Sequence, residues 1–159
     1  MAPRRFVVGA GQSGRRTARA WGVPDVARRS HLRNVVFAGF RQEGELPRLY
    51  AASDVFVFPT LGDPFGLVVD EAMSCALPVI SSSAAGEIRD RVEEGSNGFI
   101  VPPGDARRMA ERMLELTANP TLRRALGRVG RSKVAIRTTE RWCADFEQGI
   151  ERVLQLPTI

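Results

Sequence analysis

Short apolar runs alternate with helix-periodic stretches along this chain. Arg5-Phe-Val-Val-Gly9, Asn34-Val-Val-Phe-Ala-Gly39, Asp54-Val-Phe-Val-Phe-Pro59, Leu77-Pro-Val-Ile-Ser81 and Phe99-Ile-Val101 are the apolar runs. They are short, rich in β-branched and aromatic residues, and bounded by turn formers, as buried strands are. Between them the apolar period lengthens to three and four residues. Glu45 to Ser53 reads as a short helix with Pro47 in its first turn, where a missing N–H is harmless. From Gly66 a helix is predicted on the recurrence of Leu67, Val68, Glu71, Ala72 and Cys75. Ser82 to Gly86 is a loop, Glu87 to Val92 a short helical piece, and Glu93 to Gly98 a turn. Asp105 caps a helix that turns Ala106, Met109, Met113, Leu114 and Leu116 partly or fully inward. A second helix follows Asn119-Pro120. A last one starts at Thr138 or Thr139 and aligns Trp142, Phe146, Ile150, Val153 and Leu154 on one face, read as a core stripe. Strands alternating with helices predict an α/β fold with a parallel sheet and a helical C-terminal third.

With 159 residues the chain forms one domain, able to bury roughly 70% of its extended surface. Apolar content of 43% and charged content of 26% are those of a soluble globular protein. There is no apolar run of membrane-spanning length. Met-Ala-Pro-Arg-Arg at the start is followed by a strand-like run and not by a secretory core. Cys75 and Cys143 lack metal spacing and read as reduced thiols, which points to the cytoplasm. The net charge is +5, and every basic residue except Lys133 is Arg. The arginines are spread over helix faces and are not interleaved with aromatics, so nucleic acid is not the expected partner. Weak association with the inner, anionic face of a membrane stays open.

Candidate chemistry concentrates at Asp63-Pro-Phe-Gly-Leu-Val-Val-Asp-Glu71. A strand delivers the chain to a Gly-containing loop, and a helix begins there. A helix start offers free amides and a partial positive charge, which suits a phosphate. Asp63 lies just before that start and Glu71 about two turns in. Two readings fit this spacing. In one, the carboxylates grip hydroxyls while the amides hold phosphate, as a nucleotide sugar requires. In the other, Asp63 caps its loop and Glu71 is a solvated helix residue. A second candidate is the literal GxGxxG of Gly9 to Gly14. A dinucleotide fold also needs an acid at the end of the next strand. That strand closes with Phe40, Arg41 and Gln42, so a nicotinamide-binding reading loses its ribose ligand.

The central stretch resembles the donor-site motif of retaining, two-domain (GT-B) glycosyltransferases of the large family-four group. Their pattern is Glu-Pro-Phe-Gly-Leu-(x)3-Glu-Ala-Met-x-x-Gly-x-Pro-Val. Asp63 and Glu71 stand at its two carboxylates, and Phe65, Gly66, Leu67, Ala72, Met73, Pro78 and Val79 match. Asp63 is a methylene shorter than the family Glu, and Ala76 replaces a usual Gly. The likeness extends through Glu45-Leu-Pro-Arg-Leu-Tyr50 and Asn97-Gly-Phe-Ile-Val-Pro-Pro-Gly-Asp105. Gly86-Glu87 matches in part a Gly-rich loop with an acid that the family places near the donor.

The resemblance implies a Rossmann-like, doubly wound sheet and sugar transfer, with retention, from a UDP- or GDP-linked nucleotide-diphosphate sugar to an acceptor hydroxyl. It implies no cofactor and no metal. Glu71 would accept from the ribose and Asp63 from the sugar. Phe65, Gly66, Leu67 and Val68 would offer amides to phosphates and sugar. Gly9 and Gly11 would approach the nucleotide, Gly14 would be incidental, and the backbone at Phe40 would meet the base.

The resemblance starts late. Family members carry an N-terminal acceptor domain, and their donor domain opens with a strand, a Gly-Arg-type turn and a Lys that clamp the diphosphate. Here the first strand corresponds to the donor domain's second. The expectation is a single partial donor-binding domain over 1–159, lacking its first, central strand, from a truncated gene, a misassigned start or a split protein. Strands 5–9 and 54–58 close the gap, or a separate chain supplies the strand or the acceptor domain, or the fragment is poorly stable. A non-catalytic nucleotide-sugar-binding module and a plain interaction protein are the alternatives from other classes.

Overall fold

Val55–Phe58 is apolar at every position, as a strand covered on both faces requires. It forms β2 of a parallel sheet. In the computed structural model, which describes residues 5–8, 29–31, 35–39, 41–42 and 44–154, four strands run in the order β1-β2-β3-β4. They are β1 (Phe6–Val8), β2, β3 (Val79–Ser82) and β4 (Gly98–Val101). The helices are α1 (Leu46–Ala51), α2 (Leu67–Ser74), α3 (Ile88–Arg91), α4 (Ala106–Ala118), α5 (Pro120–Ala135) and α6 (Thr139–Leu154). All three strand pairs are parallel. The expectation of an α/β fold with a parallel sheet is therefore met.

Alternation along β2 divides the core. Phe56 and Phe58 face Tyr50, Val69, Ala72, Met73 and Ile88 on one side of the sheet. Val55 and Val57 face Ile80, Phe99, Leu116 and Leu126 on the other. Two helix starts are capped by side chains: Asp105, as predicted, accepts from the Arg108 amide at 2.9 Å, and Asn119 accepts from the Leu122 amide at 2.9 Å. The buried Arg123 donates to the carbonyls of Leu116 and Thr117, closing the C-terminal end of α4. It also lies 3.9 Å from Asp54.

Strand β1 pairs directly with β2, placing Phe6, Val7 and Val8 opposite Val55, Phe56 and Val57. Direct pairing of these two runs was one of the expected arrangements.

Three expectations need correction. The run at 34–39 was expected to be a strand; its described part, 35–39, lies outside the sheet, with Val36 90% exposed. Composition suits a strand there, but a strand needs a partner edge, and β1 offers a ladder of only three residues. The stripe on α6 is not core: every described side chain of that helix is exposed, Trp142 at 64%. Amphipathic spacing specifies a face and not what covers it. On α4, Met109 and Met113 are half-buried and Leu116 buried as expected, but Ala106 and Leu114 are exposed. They fall off the narrow stripe that meets the sheet. His31 is exposed, and both cysteines are free thiols.

Candidate functional site

The loop between β2 and α2 leaves the carboxyl end of β2, where parallel sheets present their sites. Asp63 turns its carboxylate back onto this loop. Its Oδ1 accepts from the amide of Phe65 at 3.1 Å and from that of Gly66 at 2.5 Å. A short acidic side chain reaching two and three residues ahead is the usual Asx turn at a helix entrance. Gly66, the residue before the helix, has φ 62°, a left-handed conformation that glycine adopts without a Cβ penalty. Leu67 and Val68 then open α2, and their amides have no acceptor within the helix.

A second loop is sewn to the first. The Gly86 amide donates to the Asp63 carbonyl at 2.6 Å. A Cβ on Gly86 would stand 1.9 Å from the Pro64 carbonyl oxygen, so only glycine permits this contact. Arg91, 4% exposed, sits behind both loops. It donates through Nε to Asp70 at 2.9 Å, and through a terminal nitrogen to Glu87 at 3.2 Å and the Gly86 carbonyl at 3.5 Å. Asp70 lies in the first turn of α2, and Arg137 stands 3.9 Å from its other oxygen. An unpaired acid there would oppose an incoming anion, and these two guanidinium groups offset it. Glu87 has φ 52°, a strained value for a residue with a side chain. Asn97 is fully buried and bonds the Arg91 carbonyl and the Glu93 amide, fixing the end of α3 against β4.

Glu71, half-buried on α2, accepts a 2.9 Å hydrogen bond on Oε2 from the Tyr50 hydroxyl. Burial, and then the bond to Glu71, raise the Tyr50 phenol well above its ordinary range. It remains a protonated donor at any physiological pH. Burial likewise raises the Cys75 thiol, opposed by Arg131 and reinforced by Glu71.

The structure thus brings Asp63, Phe65, Gly66, Leu67, Val68 and Glu71 into one loop–helix unit. Phe65 and Leu67 keep largely exposed side chains, at 60% and 48%. Gly9, Gly11 and Phe40, also expected at the site, lie outside the described residues. Among the described residues no cluster of His, Cys, Asp or Glu has the geometry of a metal site. Two residues escaped the sequence reading. Arg91 looked like one more surface arginine, and Tyr50 stands 21 positions before its partner. The one available signal for Tyr50 was the match of its helix to the family's Leu-Tyr pattern, which assigned it no role.

The profile of the family Glycosyl transferases group 1 matches residues 4–119. The chain belongs to this glycosyltransferase family. The sulfoquinovosyl transferase SQD2 of Arabidopsis thaliana is 38% identical over 100 residues, covering 62% of this chain and 20% of its own. The sucrose-phosphate synthase of Thermosynechococcus elongatus superimposes with a TM-score of 0.77 at 31% identity, over 94% of this chain and 38% of its own. HepE of Anabaena, solved with UDP, does so with a TM-score of 0.71 at 28% identity, over 94% of this chain and 40% of its own. It has also been solved with UDP-glucose. The chain therefore spans a fifth of the SQD2 sequence and about two fifths of the two solved relatives, and over that part it shares the α/β fold of the solved ones.

Proposed function

We propose that this chain is the donor-binding part of a retaining glycosyltransferase, receiving a UDP- or GDP-linked sugar at the loop and helix from Asp63 to Glu71. The carrying observation is the conjunction at α2 of two open amides, Leu67 and Val68, with an oriented carboxylate on the same helix, Glu71. The amides and the positive helix end receive the diphosphate. They stabilise the charge that develops on it as the glycosidic bond breaks. Glu71 accepts from the ribose. Asp63 is assigned to the sugar hydroxyls. On this reading it exchanges the bonds to Phe65 and Gly66 for bonds to the sugar, which releases those amides to the ligand. No metal is assigned, since amides and helix dipole supply the electrophilic stabilisation. The acceptor side is assigned to a separate unit, in this polypeptide or another, because the chain spans about two fifths of the sucrose-phosphate synthase and HepE chains. The setting is the cytoplasmic face of a membrane or the cytoplasm itself.

The test is a thermal-denaturation panel with nucleotides and nucleotide sugars. Ligand at about a hundred times its dissociation constant adds about 2.7 kcal/mol of stability, which raises the midpoint by several degrees. UDP or GDP and its sugars are expected to raise the midpoint, and NAD is not. The chain alone is expected to transfer no sugar. A shift with NAD only, or with none of these compounds, refutes the reading, and sugar transfer by the purified chain refutes the division of labour.

A further inference from the structure

The geometry points to Tyr50 as a positioning residue for Glu71, setting how the site discriminates a ribose-bearing nucleotide from one without ribose hydroxyls. This rests on the reading of Glu71 as the ribose acceptor, and goes beyond it by asking what holds that carboxylate still. Glu71 is half-buried on the face of α2 toward α1, and a free Glu rotates about three bonds. The Tyr50 hydroxyl removes that freedom by donating to Oε2 at 2.9 Å. Tyr50 is itself buried, and its ring meets Phe56 edge-on with centroids 5.9 Å apart. Phe56 is fully buried in β2 and stacks on Phe58, so the phenol is held by the sheet core. A rigid donor on one carboxylate oxygen leaves the other, Oε1, aimed in a fixed direction as an acceptor. A pre-aimed acceptor binds a hydroxyl without the cost of ordering a flexible side chain. The raised phenol affinity for its proton keeps the donor in place throughout the neutral range.

Tyr50→Phe removes the hydroxyl and keeps the ring. Calorimetry on the full chain with UDP and GDP, each beside its 2′,3′-dideoxy counterpart, gives the ratio of the two affinities. In the parent chain the ribose form is expected to bind more tightly. In Tyr50→Phe that ratio should fall by about 3–10-fold, with dideoxy affinity unchanged. A residue that only supports the fold would weaken both ligands alike, or neither, and an unchanged ratio overturns the positioning role. Glu71→Ala separates the two levels. If it abolishes the ratio while Tyr50→Phe preserves it, the ribose reading stands and the role of Tyr50 falls. If Glu71→Ala also leaves the ratio intact, or the parent chain shows no ratio, both fall. A second measurement needs no substitution. Tyr50 is the sole tyrosine, so tyrosine carrying carbon-13 at the ζ position alone gives one resonance. Adding UDP or GDP should move that resonance more than adding the dideoxy form, and equal movement with both contradicts the inference.

Discussion

Asp63 is one methylene shorter than the glutamate in whose place it stands, and the shorter arm suits the bonds it makes here. A carboxylate at this reach finds the amides two and three residues ahead, Phe65 and Gly66, and ties the loop to its own backbone. The pattern of residues singled out Asp63 and Glu71, and the structure places Asp63 before α2 and Glu71 just over one turn into it. It left open whether Asp63 caps or binds, because both roles use the same atoms at the same spacing. Ala76 gives a sharper test at this scale. It follows the end of α2 with φ 58°, in a closing turn where its amide bonds the Met73 carbonyl and the Leu77 amide bonds that of Ala72. This is the arrangement that glycine normally completes. The left-handed backbone costs an alanine about 1 kcal/mol or more, and a glycine little. Ala76→Gly should therefore raise the unfolding free energy by about 1 kcal/mol in urea titration. A loss of stability would mean that the strain is absent or is relieved elsewhere.

At the scale of elements, the buried strands and the capped helices were legible because each rests on local chemistry. Runs such as Val55–Phe58 have no polar face to expose, and Asp105 and Asn119 each sit three residues before an amide needing an acceptor. The run at 34–39 and the stripe on α6 were misread because local chemistry does not decide them. A strand exists only against a partner, and an amphipathic face is core only where something lies on it. The exposed stripe predicts a contrast between aromatic residues. Trp142 and Phe146 stack in parallel with centroids 5.2 Å apart, but both are open to solvent. Trp142→Ser and Phe146→Ser should each change stability by less than about 1 kcal/mol, as exposed helical pairs do. Phe56→Ala, at a fully buried position between two layers, should cost about 3–5 kcal/mol. Urea titration of the three variants checks the contrast, and comparable losses from all three would place α6 in a packed core.

For the whole molecule, the sheet order puts the β2–α2 loop and the β3–α3 loop side by side at one end, and the contact at Gly86 joins them. Arg91 then links that end to Asp70 on α2, so the loops and the helix carrying Glu71 form one unit. The sequence order of motifs allowed the α/β class and the family likeness to be read in advance. Direct pairing of β1 with β2 could not be chosen from among the expected arrangements, because pairing is a relation between distant segments. The decisive property of that unit is whether it holds a nucleotide through Glu71. Calorimetric titration of the parent chain and of Glu71→Ala with UDP, GDP and their glucose conjugates measures this directly. Removing a carboxylate that accepts from ribose hydroxyls should weaken binding by about 10–150-fold, roughly 1.5–3 kcal/mol. Equal affinity for the parent and the substituted chain would contradict the assignment and leave Glu71 as a helix residue whose partner is Tyr50 alone.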